Sequence, residues 1–259
     1  MKTHLRWMLA AAVIVTANAA HAGRSCEQRA PEAINVQRAM TLAERTARRL
    51  DETGAQVVVL GRVGQDLSKY GQRYSHMGLA YRDGNVWRVA HKLNQCGSAQ
   101  AAVYRQGLGE FFLDDLFDYQ AGIVVLAPAV QARLLPALRD NRSLAQLNTP
   151  AYSMVAYPWA TTYQQSNQWA LETLAMTQDP AATNRPRAQA WLKQQGYEPA
   201  TLHLSAMTRL GARLTAANVA FDDHPNAKRF SDRIETVTVD SVFVWLERSG
   251  LGSAPLVIR

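Results

Sequence analysis

Apolar residues along this chain recur at two spacings, one helical and one extended. Residues 34–52 carry Ile34, Ala39, Leu42, Ala43 and Leu50 between charged positions, which predicts an amphipathic helix ended by Gly54. Val57 to Leu60 is a compact β-branched run and predicts a buried strand. Residues 64–72 are polar and bounded by glycines, a connection into RYSHMGLAYRDGNVWRVAH at 73–91. Asp83-Gly84 between two strand-like halves predicts a two-residue hairpin turn. Residues 108–119 predict a helix with Phe111, Phe112, Leu116 and Phe117 on its apolar side, and Ile123 to Leu126 a further strand. Residues 129–147 predict helix, started, kinked or divided by Pro136. Tyr152 to Ala156 reads as a strand, and Ser166 to Met176 as a helix fed by a polar loop. After a Pro-, Asn- and Ala-rich linker at 179–186, helices are expected near 187–195 and 203–214. An extended NVAFD segment and a turn at Asp222-Asp223-His224-Pro225 follow, then a last helix capped by Asp240. The pattern predicts an α+β fold: a small antiparallel sheet surrounded by helices.

The first residues change where the fold begins. Lys2, His4 and Arg6 precede an apolar stretch from Trp7 to Ala20, and Ala20-His21-Ala22 fits a processing site. Residues 1–22 therefore read as a signal peptide of an exported, periplasmic protein, with one domain over 23–259 and 179–259 as a possible appended helical lobe. The apolar stretch is too short and alanine-rich to span a bilayer, and no later segment reaches that length. The segment contains no acids, so losing Lys2 and Arg6 takes the formal charge from +7 to +5. The remaining cations are scattered, without basic runs interleaved with aromatics, which leaves nucleic-acid binding unsupported. Two cysteines survive processing, Cys26 and Cys96. In an oxidising compartment an even pair favours a disulfide; a reactive free Cys96 is the alternative.

Candidate chemistry starts at the hairpin. With Asp83 and Gly84 central, counting back along both strands sets His76 opposite His91, where side chains share a face and stand roughly 5 Å apart at Cβ. A turn at Gly84-Asn85 instead pairs His76 with Leu93. Two close imidazoles can act as a base and its orienting partner. Ser166 stands where a polar loop becomes a helix, among unpaired N–H groups and the positive end of the helix dipole, a position that favours developing negative charge. Serine is equally one of the commonest N-caps and needs no chemistry to explain it. His203 lies among apolar neighbours on a predicted helix, and Asp222-Asp223-His224 is a turn. With no H-E-x-x-H, paired C-x-x-C or calcium-loop pattern, no metal is expected; with no glycine-rich phosphate loop, no nucleotide cofactor is expected.

Ser75-His76-Met77-Gly78-Leu79, followed by a turn and Val89-Ala90-His91, resembles the S-H-V-G-I…I-H-A hairpin of papain-like, NlpC-type peptidases. The resemblance implies that His76 is the general base and His91 its orienting residue. It also implies a nucleophile at a helix start, cysteine in that group. The helix start after the hairpin is at QQSNQW, so the order resembles the circularly permuted branch and Ser166 takes the nucleophile position. Tyr157 and Tyr163 are the implied oxyanion or cleft tyrosines. Most of residues 26–250 is also similar to domain of unknown function family 2145. Together these imply an amide or ester hydrolase, or acyl transferase, of the cell envelope, with peptidoglycan stem peptide as the natural substrate class. A serine hydroxyl is a far poorer nucleophile than a thiolate. The same resemblance therefore also allows a non-catalytic periplasmic binding or assembly protein that keeps the cleft.

Overall fold

The structure is a computed structural model and describes residues 30–259; the expected signal peptide and Cys26 lie outside the described residues. Its centre is a six-stranded antiparallel sheet of β1 (Val57–Val63), β2 (His76–Asp83), β3 (Val86–Asn94), β4 (Ala101–Gly107), β5 (Asp118–Val125) and β8 (Leu256–Ile258), in the order β4-β3-β2-β1-β5-β8. Helices follow as α1 (Ala33–Glu52), α2 (Leu108–Phe112), α3 (Pro128–Arg139), α4 (Asn141–Gln146), α5 (Ser166–Gln178) and α6 (Arg185–Gln194). The remaining elements are α7 (Ala206–Thr215), α8 (Asn226–Arg229) and α9 (Val239–Arg248), with a separate hairpin of β6 (Ala200–His203) and β7 (Arg233–Thr236). This is the expected α+β class.

Side chains alternate across a strand, so the central sheet presents two faces. One face, through Val58, Leu60, Ala80, Val89 and Ile123, packs on Leu42 and Leu50 of α1 and Leu108, Phe111 and Phe112 of α2. The other, through Val57, Val59, Met77, Leu79, Tyr81 and Ala90, packs on Leu134 of α3, Trp169 and Leu171 of α5, and Phe243 and Trp245 of α9. Both faces of β1 are therefore covered, which explains its unbroken apolar run. A third, smaller cluster of Val155, Leu204, Phe221 and Ile234 holds the β6–β7 hairpin.

Several expected boundaries move. The hairpin turn is at Gly84-Asn85, one residue later than expected: Asp83 pairs with Val86 and Leu79 with Ala90. Gly84 has φ 59° while Asn85 does not enter the left-handed region, the φ pattern of a type II′ turn, which wants glycine first. The helix expected over 108–119 stops at Phe112, and Phe117 is 62 % exposed, because Asp118 already begins β5. The strand expected at 152–156 is irregular, and a single bridge at Ala151 precedes it. The helix expected from 203 starts at Ala206, behind a strand ending at His203, and is capped by Ser205, whose side chain accepts from Thr208 N. Asp240 does not cap the last helix. Thr238 does, and Asp240 instead accepts from Arg73 N and Tyr74 N, both at 3.1 Å.

Candidate functional site

The one-residue shift of the turn moves each cross-strand partner by two positions, so facing parity is kept. His91 now stands opposite Gly78, and His76 is its diagonal neighbour on the same face. Diagonal pairs lie roughly 7–8 Å apart at Cα, within reach of long side chains. Gly78 makes the contact feasible, because a Cβ there would meet Val89 Cγ1 at 2.4 Å and His91 Cβ at 3.1 Å. Across the missing side chain, His76 Nε2 and His91 Nδ1 come to 2.9 Å. The contact expected from the sequence is present, through a different register.

His91 is fully buried and His76 half-buried. The Phe111 ring lies 5.8 Å from the His76 ring and 5.2 Å from that of His91. Burial, then the Arg62 guanidinium, lowers the His91 pKa to about 4; burial, then Arg62 and His91, holds that of His76 well below its usual value. Both rings are therefore neutral at physiological pH. His91 Nε2 lies 2.8 Å from Gln106 Oε1, which can only accept, so the ring proton of His91 is on Nε2. His91 Nδ1 then accepts from His76 Nε2. The relay Gln106–His91–His76 leaves a lone pair on His76 Nδ1, the chemical requirement for a general base.

Arg62 pairs with His76 across β1 and β2 and is 4 % exposed. Its guanidinium donates to Phe111 O and Asp114 Oδ2 and lies 4.7 Å from the Phe111 ring centroid. It fixes a positive charge beside the relay and disfavours a second one on the imidazoles.

Ser166 lies in the other layer. It is the first residue of α5, and Gln165 is the cap, its side chain accepting from Asn167 N. Burial raises the pKa of the buried Tyr152 phenol, and the neighbouring Ser166 side chain partly offsets this. Where β2 and β3 part beyond Leu79, Asn167 Oδ1 accepts from Met77 N at 3.0 Å, which docks the helix start against the sheet. Met77 and Trp169 belong to the core of the α5 face, whereas the imidazoles turn to Phe111 on the α2 face. Tyr157 and Tyr163 are also elsewhere. Tyr157 N donates to Asp223 Oδ2 at 2.8 Å, its ring lies 5.0 Å from that of His224, and Tyr163 Oη donates to Asp222 at 3.3 Å. His224 is held between Asp223 Oδ1 at 2.9 Å and Glu235 O at 3.0 Å, so the Asp222-Asp223-His224 turn is a structural pin.

Sequence reading missed the polar core that fixes the loop before α5. Lys92, fully buried, donates to Thr149 O and to Gln164 Oε1 at 2.8 Å, and burial lowers its pKa to about 7. Gln164 Nε2 donates to Glu172 at 2.6 Å, and Glu172 pairs with Arg185 at 2.7 Å. Arg185 also donates to the carbonyls of Ala160, Thr161 and Tyr163. The available signal was Glu172 inside an otherwise apolar helix face. Among the described residues no group of three or more His, Cys, Asp or Glu side chains could hold a metal ion, and no helix is long and apolar enough to cross a membrane.

Comparison with curated proteins and with solved structures gives no match. The family described as "Uncharacterized protein conserved in bacteria (DUF2145)" matches residues 49–246, well over half of the chain and including both histidines, Gln106 and Ser166. This chain belongs to that family.

Proposed function

We propose that this is an exported cell-envelope protein in which His76 is the general base of a hydrolytic or acyl-transfer centre of permuted papain-like design, acting on an amide or ester such as a peptidoglycan stem peptide. The observation that supports this is the relay itself: His76 is half-buried and neutral, with its Nδ1 lone pair unspent because His91 and Gln106 fix the tautomer. His76 Nδ1 takes the proton of an attacking water or substrate hydroxyl as the new bond to the carbonyl carbon forms, and returns it to the leaving group. Ser166, at the start of α5 on the Met77 face while the imidazoles turn to Phe111, does not serve as nucleophile in this reading. Export rests on the sequence of residues 1–22. A Cys26–Cys96 bridge belongs to the same proposal, supported by the absence of a free cysteine among the described residues; a thiol count on non-reduced protein should give none.

The test is turnover of muropeptides and of a simple ester by the wild type, His76→Ala and Ser166→Ala, alongside intact-mass analysis after fluorophosphonate treatment. Activity lost in His76→Ala, kept in Ser166→Ala, with no serine adduct, is the expected result. An adduct lost in both variants would establish Ser166 as a histidine-activated nucleophile and overturn this reading. A second reading, a non-catalytic binding or assembly protein, is favoured by the Phe111 ring lying against both imidazoles. It predicts no turnover in any of the three proteins.

A further inference from the structure

Near the turn of the β2–β3 hairpin, on the sheet face away from the imidazoles, Tyr81, Asp83, Arg88, Arg105 and Arg139 line an open hollow of about 240 Å³. Tyr81 faces Arg88 across β2 and β3, and Arg105 faces Ala90 across β3 and β4. All three side chains therefore share one face, with Arg88 and Arg105 as diagonal neighbours, a placement in which like charges repel. The fold holds Arg105 there nonetheless: its Nε donates to Leu138 O at 2.9 Å and its Nη1 to Asn141 Oδ1. Its Nη2 is buried and donates to nothing among the described residues. Arg139 joins from the end of α3, where it donates to Arg82 O at 2.7 Å. Gly107, opposite Arg88 on β4, leaves that side open, since a Cβ there would meet nothing within 4 Å.

Asp83 is the single carboxylate of the hollow and reaches Arg88 at 3.2 Å. Arg105 and Arg139 have no ion-pair partner among the described residues. Asp140, close enough for Arg105 to act on it, is held instead by Ser143 N at 2.8 Å and Ser143 Oγ at 2.7 Å. Three guanidiniums against one carboxylate leave two positive charges in the hollow. Burial raises the Tyr81 pKa, with Arg105, Arg88 and Arg139 opposing and Asp83 reinforcing, so its phenol keeps its proton; it makes no hydrogen bond among the described residues. The other arginine-lined hollow differs, because its charges are spent: Arg48 pairs with Glu44, Arg49 with Glu52, and Arg45 donates to Arg259 O. We propose that the Tyr81–Arg88–Arg105–Arg139 hollow binds a phosphate monoester. The hollow is below the size of drug-sized ligand sites, which suits a small anion. A doubly negative phosphoryl group matches the two uncompensated guanidiniums, and Tyr81 Oη, Arg105 and Arg139 donate to its oxygens. A carboxylate or a phosphodiester, each singly charged, would leave one guanidinium uncompensated. The proposal does not depend on the histidine relay, which faces the other side of the sheet.

The test is isothermal titration calorimetry at pH 8 and constant ionic strength, with inorganic phosphate, glycerol 3-phosphate, the phosphodiester glycerophosphoglycerol, and acetate. The wild type should bind phosphate and the monoester with a Kd of about 1 mM or tighter, and the two singly charged probes more weakly. Tyr81→Phe should weaken monoester binding about tenfold, the worth of one hydrogen bond to a charged group. Arg88→Gln with Arg139→Gln should weaken it by more than about tenfold on the same scale. Both arginines are exposed, so unchanged melting of that double variant keeps misfolding out of the result. Arg48→Gln, in the self-neutralised hollow, should leave binding as it is. No binding of phosphate or the monoester by the wild type, or binding untouched in Arg88→Gln with Arg139→Gln, overturns the proposal. An equal loss in Arg48→Gln overturns it in favour of a general charge effect, and tighter binding of the diester or acetate in favour of a singly charged ligand.

Discussion

Replacing Gly78 by alanine tests whether the missing side chain is what lets the two histidines meet. The new Cβ would stand 2.4 Å from Val89 Cγ1, 3.1 Å from the Ala90 carbonyl oxygen and 3.1 Å from His91 Cβ. Val89 is fully buried and the carbonyl is backbone, so neither yields cheaply. Overpacking of this kind costs about 1–3 kcal/mol. Separating the imidazoles forfeits a buried hydrogen bond worth about 1 kcal/mol. The lower entropy of the unfolded alanine chain returns about 0.4–1 kcal/mol. The expected net loss is about 2 kcal/mol, or roughly 4–8 °C in Tm for a domain of this size. Urea unfolding followed by tryptophan fluorescence measures it. Gly211→Ala is the control: it lies within α7 with open space around its Cβ and should stabilise by about 0.5–1 kcal/mol. A Gly78→Ala loss below about 0.5 kcal/mol, with the histidine resonances unchanged, refutes the reasoning.

Stability should depend on the histidines between pH 6.5 and 5. Both have folded pKa values below the unfolded value of 6.5, so the unfolded chain binds more protons there and stability falls as the solution is acidified. With its folded pKa near 4, His91 alone should cost about 1.5 kcal/mol between pH 6.5 and 5; an unchanged urea midpoint across that window contradicts it. Arg185→Met should destabilise by about 3–5 kcal/mol, because it leaves the Glu172 carboxylate buried without its cation. Thermal melting checks this, and a change under 1 kcal/mol contradicts it.

The α+β class, the long first helix, the central hairpin and the start of α5 were legible because each carries its own local period or turn signal. Strands β4, β6, β7 and β8 were not. β4, in AAVYRQG, pairs along one side only, at the sheet edge, and its burial is mixed, so it has no clean alternation. β8 is three residues long and is defined by its pairing with β5. The histidine contact survived a wrong register because shifting a turn by one residue preserves facing parity. Ser166 was read as a partner of the histidines because a helix start is visible in sequence. Which sheet face receives that helix is set by long-range packing of Trp169 and Leu171, which no local pattern encodes. Gln106 was invisible for the same reason, since its role comes from strand order.

The central claim is a neutral base relay with a fixed proton order, and long-range ¹H–¹⁵N correlation of the imidazole nitrogens tests it most directly. The relay predicts that His91 and His76 both carry their proton on Nε2, and that neither becomes imidazolium as the pH is lowered from 8 to 6. Replacing Gln106 by leucine should let His91 exchange between tautomers. Imidazolium signals from either residue at pH 6, or a proton on His76 Nδ1, would contradict the account.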